Sequence, residues 1–199
     1  MLRQAAIWAA LVATLLIPVI AAAFSPYLAW REPIYILAGF AGIIGMCLLL
    51  LQPLLAGRWL PGLSPVNSRH WHRRCGLVLV VSIVIHVIGL WITSPPDVVD
   101  ALLFVSATPF STWGVTAMWA GFAAAAMGVL RQRLSLRFRV WRMGHAGLAI
   151  VTILGSVIHA LLIEGTMEIM TKFALCVLVV LASLATLVRL RVWDVKQRA

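Results

Sequence analysis

Four of the five histidines in this 199-residue chain fall into two pairs with one spacing: His72 and His86, then His145 and His159, each pair 14 positions apart. Buried imidazole does two kinds of chemistry: proton transfer near neutral pH, and metal ligation through a neutral ring nitrogen. A bare pair of histidines is a poor zinc site, because zinc wants a third protein ligand. Iron at the centre of a flat macrocycle wants two axial ligands on opposite faces, and two neutral imidazoles supply them. The four histidines are therefore read as axial ligands of haem b, two haems in all. Irons without an open coordination position suit electron transfer better than oxygen binding. A single histidine in a membrane helix is often an interhelical hydrogen bond, but equal spacing on two segments has no packing explanation. His70, in the run His70-Trp71-His72-Arg73-Arg74, reads as a surface residue that could replace His72 if the helix began differently.

The segments that carry these residues belong to a membrane. Hydrophobic residues make up 63% of the chain and charged ones 11%, and the apolar residues form long runs rather than amphipathic stripes. A helix needs roughly 20 apolar residues to cross a hydrocarbon core about 30 Å thick. Six segments meet that test, at about 5–24, 33–51, 72–92, 112–130, 144–163 and 169–187. No short alternating stretches suggest a barrel. The expected fold is an all-α polytopic bundle of six transmembrane helices, a single haem-binding domain over 1–199 with no soluble domain. Pro53, Pro61 and Pro65 are expected to stop the second span and keep the following connection extended. Pro95, Pro96 and Pro109 mark a loop before the fourth span.

Two heptads on a helix return to nearly the same face. They also separate the two histidines of each pair by roughly 21 Å along the axis, so that one lies near each leaflet. The third and fifth spans run in the same direction, so His72 matches His145 in depth and His86 matches His159. Small residues next to the ligands could admit the edge of a macrocycle: Gly76 four after His72, Ser82 four before His86, Gly155 four before His159. Arginines and the interface could meet its propionates.

The net charge of +10 is a topology signal rather than a nucleic-acid footprint. Fourteen of the 16 basic residues fall on one side of the six spans: Arg3, four from Arg58 to Arg74, five from Arg131 to Arg142, and Arg189, Arg191, Lys196 and Arg198. Arg31 and Lys172 fall on the other side, with Glu32, Asp97, Asp100, Glu164 and Glu168. The excess of basic residues in cytoplasmic connections then places both termini in the cytoplasm. Arg3, the first apolar stretch and Ala21-Ala22-Ala23 also fit a cleaved leader, but the stretch is longer than leaders usually carry, so a retained first helix is expected. Pro18 would kink that helix rather than break it. The three cysteines carry neither zinc nor redox spacing and are read as packing residues.

The pattern His72-x3-Gly76-x9-His86, then a basic loop and His145-x13-His159 in a six-helix frame, resembles the ferric reductase-like transmembrane domain. That family includes ferric reductases, the membrane part of NADPH oxidases, and haem subunits of the periplasmic methionine sulfoxide reductase system. The resemblance implies electron flow from the cytoplasm outward through haem. Larger members carry a cytoplasmic flavin and nicotinamide domain, whereas this sequence has no Gly-rich dinucleotide motif after a strand. The implied donor is a separate flavin reductase, reduced flavin or quinol, and the implied acceptor is ferric iron or a partner protein outside the cytoplasm. A flavin at the cytoplasmic face, held by the cluster Arg131 to Arg142, is a further candidate. The short sulfoxide reductase partners tend to lack one inner histidine, whereas His72 is present here, which favours two haems.

The leading expectation is thus an oxidoreductase component of a bacterial inner membrane. Its alternatives are a haem-containing anchor subunit of a larger oxidoreductase, such as a periplasmic methionine sulfoxide reductase, and a quinone-linked cytochrome b.

Overall fold

The computed structural model describes residues 1–133, 135 and 137–191; Lys196 and Arg198, counted above in the basic tail, lie outside the described residues. The described residues form seven α-helices: α1 (Leu2–Ala23), α2 (Pro33–Ala56), α3 (Pro65–Thr93), α4 (Pro95–Leu102), α5 (Pro109–Val129), α6 (Phe138–Leu162) and α7 (Ile169–Leu190). All but α4 are long and apolar enough to cross a membrane. Large apolar side chains such as Leu16, Leu37, Ile88, Leu154 and Leu181 are exposed on the bundle surface, as expected where the solvent is lipid. The molecule is an integral membrane protein with an all-α fold.

The prolines start helices more often than they end them. Pro33, Pro65, Pro95 and Pro109 each occupy the first turn of α2, α3, α4 or α5. A residue there needs no amide hydrogen, since the first N–H groups of a helix have no partner inside it. Two expectations change as a result. The connection after the second span is not extended from Gln52 onward: α2 continues through Pro53 to Ala56, and α3 begins at Pro65, capped by the Ser64 hydroxyl accepting from the Asn67 amide. Likewise, 95–102 is a short helix rather than a loop. Pro18 lies inside an unbroken α1.

Two antiparallel hairpins, α2–α3 and α5–α6, make the tightest packing, and α7 closes the bundle against α2 and α6. The core lies along α2 and α7, where Leu175, Cys176 and Val179 are almost fully buried beside Ile43, Leu49 and Leu50. α3 and α6 are not a close-packed pair.

Helix continuity through Pro53 creates a polar knot at one end of the core. The Thr186 hydroxyl donates to the Pro53 carbonyl at 2.9 Å and accepts from the Trp59 indole N–H at 2.9 Å. Arg189 lies over the same indole, 4.4 Å from its centre. Nearby, the Ser68 hydroxyl donates to the Leu55 carbonyl at 2.6 Å. A buried donor left without its acceptor costs about 1–3 kcal/mol. Thr186→Val keeps the shape and removes both bonds, so it should lower stability by that amount, while Thr186→Ser should stay close to the parent. Thermal unfolding of the three proteins in one detergent checks this ranking.

Candidate functional site

α3 carries His72 and His86, and α6 carries His145 and His159. The bundle brings them together in the two pairs expected from depth. The rings of His72 and His145 have centres 6.4 Å apart and planes crossed at 67°. Those of His86 and His159 are 6.3 Å apart and crossed at 84°. All four are half-buried, whereas His70 is exposed on the first turns of α3.

Each ring is held from behind by the other helix of its own hairpin. His86 Nδ1 donates to the Ala38 carbonyl at 2.7 Å, and His72 Nδ1 to the Gln52 carbonyl at 3.2 Å, both on α2. His159 Nδ1 donates to the Phe110 carbonyl at 2.8 Å, and His145 Nδ1 to the Ala124 carbonyl at 3.1 Å, both on α5. A carbonyl can only accept, so in each neutral ring the proton sits on Nδ1. Nε2 is left with its lone pair, the arrangement typical of a metal-ligating imidazole with a backbone second partner. The acceptors Ala38 and Gln52 are 14 residues apart, as are Phe110 and Ala124, so the histidine spacing is answered by an equal spacing on the supporting helices.

The separation of the rings tests what fits between them. Two metal–imidazole bonds of about 2.0 Å each, with about 1.1 Å from each nitrogen to its ring centre, put the centres about 6.2 Å apart. The two observed separations match that distance, at both levels. Among the described residues no group of three or more His, Cys, Asp or Glu is placed to hold an ion. A metal held between two such rings would have to bring its own equatorial ligands, as the iron of a haem does.

Glycines on α2 and α5 give the rings their room. A Cβ on Gly114 would lie 2.7 Å from His159 Nδ1 and 2.9 Å from its Cε1, and one on Gly42 would lie 3.1 Å from His86 Nδ1. Each sits one helical turn beyond the carbonyl that its histidine uses. The glycines singled out from the sequence point elsewhere. Gly155 packs tightly on α5, where a Cβ would meet Ala117 Cβ and the Trp113 carbonyl at 2.9 Å. Gly76 faces α2, where a Cβ would make only ordinary contact, 3.5 Å from the amide nitrogen of Gln52, which donates to the His72 carbonyl at 3.3 Å. Ser82 turns its hydroxyl back to the Val78 carbonyl. Gly42 and Gly114 were legible only as small residues on neighbouring spans, with nothing to tie them to a histidine.

The two ends of the α3–α6 gap differ. Around His86 and His159 lies a cavity of about 440 Å³, lined also by Tyr35, Ser111, Thr166 and Lys172 and bordered by α4. At the other end Trp141 stacks on His145, with centres 5.6 Å apart and planes at 13°. Its indole N–H donates to the Met127 carbonyl at 3.0 Å, and Arg131 lies 4.5 Å over its ring. Trp141 thereby fixes the His145 ring from a second direction.

Residues 38–156 match the family described as ferric reductase like transmembrane component. The chain belongs to the ferric reductase-like transmembrane family. The match opens at Ala38, the carbonyl partner of His86, takes in His72, His86 and His145, and stops three residues short of His159. Neither a curated protein nor a solved structure gives a significant match. Members of the family generally bind haem, and membership points to electron transfer across a membrane.

The glycine contacts rank two substitutions. Gly114→Ala forces the pinned His159 ring to move, and overpacking of this kind costs about 1–3 kcal/mol. Gly42→Ala meets its histidine less closely and should cost clearly less. Thermal unfolding of both variants in one detergent measures the difference; equal losses would contradict the ring-clearance account.

Proposed function

We propose that His72 with His145, and His86 with His159, are the axial ligands of two b-type haems, and that the chain conducts electrons between the two sides of the membrane. The observation that carries this reading is the repeated ring separation, 6.4 and 6.3 Å, with every Nδ1 committed to a carbonyl. When bound, each haem supplies an iron that takes up and gives back one electron. The protein's share is positional. The carbonyls of Ala38, Gln52, Phe110 and Ala124 fix the tautomer and raise the basicity of the ligating nitrogen. The helices set the two levels roughly 21 Å apart, and the apolar walls exclude water between them.

In this reading the basic connections face the cytoplasm of a bacterial inner membrane, with both termini on that side. Electrons enter at the level of His72 and His145 from a separate flavin reductase, reduced flavin or quinol. The Arg131–Trp141–His145 stack supports entry there, since it carries aromatic contact and positive charge from the surface to the ligand. They leave at the level of His86 and His159 to ferric iron or a partner protein outside.

A reduced-minus-oxidised spectrum of purified protein, with haem and protein quantified, tests the proposal. Two low-spin haems per chain are expected. His86→Ala and His159→Ala should each remove one, and His72→Ala or His145→Ala the other, so each variant keeps about half the signal. One haem per chain, unaffected by His72→Ala, would rule out the site at that level. Proteoliposomes with reductant inside and a ferric chelate outside then read the direction of flow.

A further inference from the structure

Lys172 is out of place by every ordinary rule. It lies in the first turns of α7, where the helix dipole already presents positive charge. It is only 8% exposed, in a bundle whose surroundings are hydrocarbon. Its ammonium has three N–H donors, and among the described residues its one hydrogen bond is to the Ile163 carbonyl, at 2.8 Å. Buried charges are ordinarily paired. Asp97 also lines the cavity but accepts from the Ser94 hydroxyl and makes no ion pair with Lys172. Glu168, one turn earlier, is spent on the amides of Met170 and Thr171, which hold its carboxyl below the usual range.

What Lys172 does face is the cavity that contains His86 and His159. Ser111 and Thr166 line it too, and Arg31 lies over the ring of Tyr35, another lining residue, at 4.8 Å. Lys172 and Arg31 are also the two basic residues that break the otherwise one-sided charge distribution.

We infer that Lys172 is the counter-charge for a carboxylate lodged in the His86–His159 cavity, and that this carboxylate is a propionate of the haem proposed there. The inference rests on the haem reading above. An anion in the cavity offsets the burial of the ammonium, occupies its remaining donors and relieves its conflict with the α7 dipole. The same chemistry could be met by a carboxylate of a soluble chelate, and the two sources can be separated.

The experiment is a redox titration, followed by visible absorbance, of the haem-loaded full chain in carboxylate-free buffer, repeated with added citrate. The wild type is compared with Lys172→Gln, Lys172→Met and Lys172→Arg, and the haem concerned is assigned by its loss in His159→Ala. Removing the positive charge disfavours the reduced iron. With a propionate partner, Lys172→Gln and Lys172→Met lower the midpoint of the His86–His159 haem about tenfold in equilibrium constant, about 59 mV for one electron. The other haem is unmoved and Lys172→Arg restores most of the shift. If citrate-free midpoints are the same in all four proteins but citrate perturbs this haem in the wild type and not in Lys172→Gln, the carboxylate comes from solution and the propionate assignment is wrong. Unchanged midpoints under both conditions, with both haems bound, overturn the inference and leave the haem reading intact. A wild type that binds no haem at that level removes both. Should Lys172→Met fail to fold, Lys172→Gln gives the same readout.

Discussion

The arrangement depends on a hydrogen bond that no sequence motif announces: the Nδ1 proton of each paired histidine given to a main-chain carbonyl of the neighbouring helix. A free imidazole in a membrane helix would rotate, choose either tautomer, and turn its polar edge to whatever partner it found. With Nδ1 tied to Ala38, Gln52, Phe110 or Ala124, one nitrogen is satisfied and the other is released with a defined lone pair. Because these acceptors are backbone atoms, the ring position is fixed by the register of a helix hairpin rather than by the rotamer of another side chain.

That constraint explains the packing hierarchy. Hairpins α2–α3 and α5–α6 must be tight, since they carry the carbonyl contacts; Gly89 and Gly155 let their helices approach, and Gly42 and Gly114 clear the imidazole rings. α3 and α6 must stay apart, because ring centres more than 6 Å from each other require a gap that close helix packing would close. α7 contacts both α2 and α6, and a limited α3–α5 contact also joins the hairpins, so they belong to one bundle without pressing α3 onto α6.

The histidine pairs, their matching depth and the six spans were legible because they follow from period and length alone: 14 residues is a helical repeat, and apolar runs of some 20 residues have few other uses. The helix starts were not. Pro65 and Pro95 read as loop residues when proline is counted as a breaker, yet each stands where a helix has amides to spare. The glycines singled out from the sequence, Gly76 and Gly155, differ from those that lie against the histidine rings, Gly42 and Gly114, for a related reason. Proximity was sought along the histidine's own helix, whereas the space that Gly42 and Gly114 provide lies across a hairpin, and an interhelical register is not a property of one segment. Lys172 was visible only as an exception in a charge count, since its burial depends on where α7 meets the 163–168 turn.

The two histidine levels share one ring geometry but have different surroundings, and in the proposed reading that difference gives electron transfer a direction. At His145 an aromatic ring stacks on the imidazole and an arginine lies over that aromatic ring. At His159 the ring borders a cavity with hydroxyl groups and a buried lysine on its walls. Equal centres joined end to end have no preferred direction of transfer. Asymmetry has to come from their environments: at the His145 level an exposed arginine acts through Trp141, whereas the charge beside the His86–His159 cavity is a buried lysine. In the proposed reading, Lys172 lies on the His86–His159 side and is buried, so its field is screened less than that of the exposed Arg131 and favours an electron arriving there, in the same sense as the flow proposed from the basic connections.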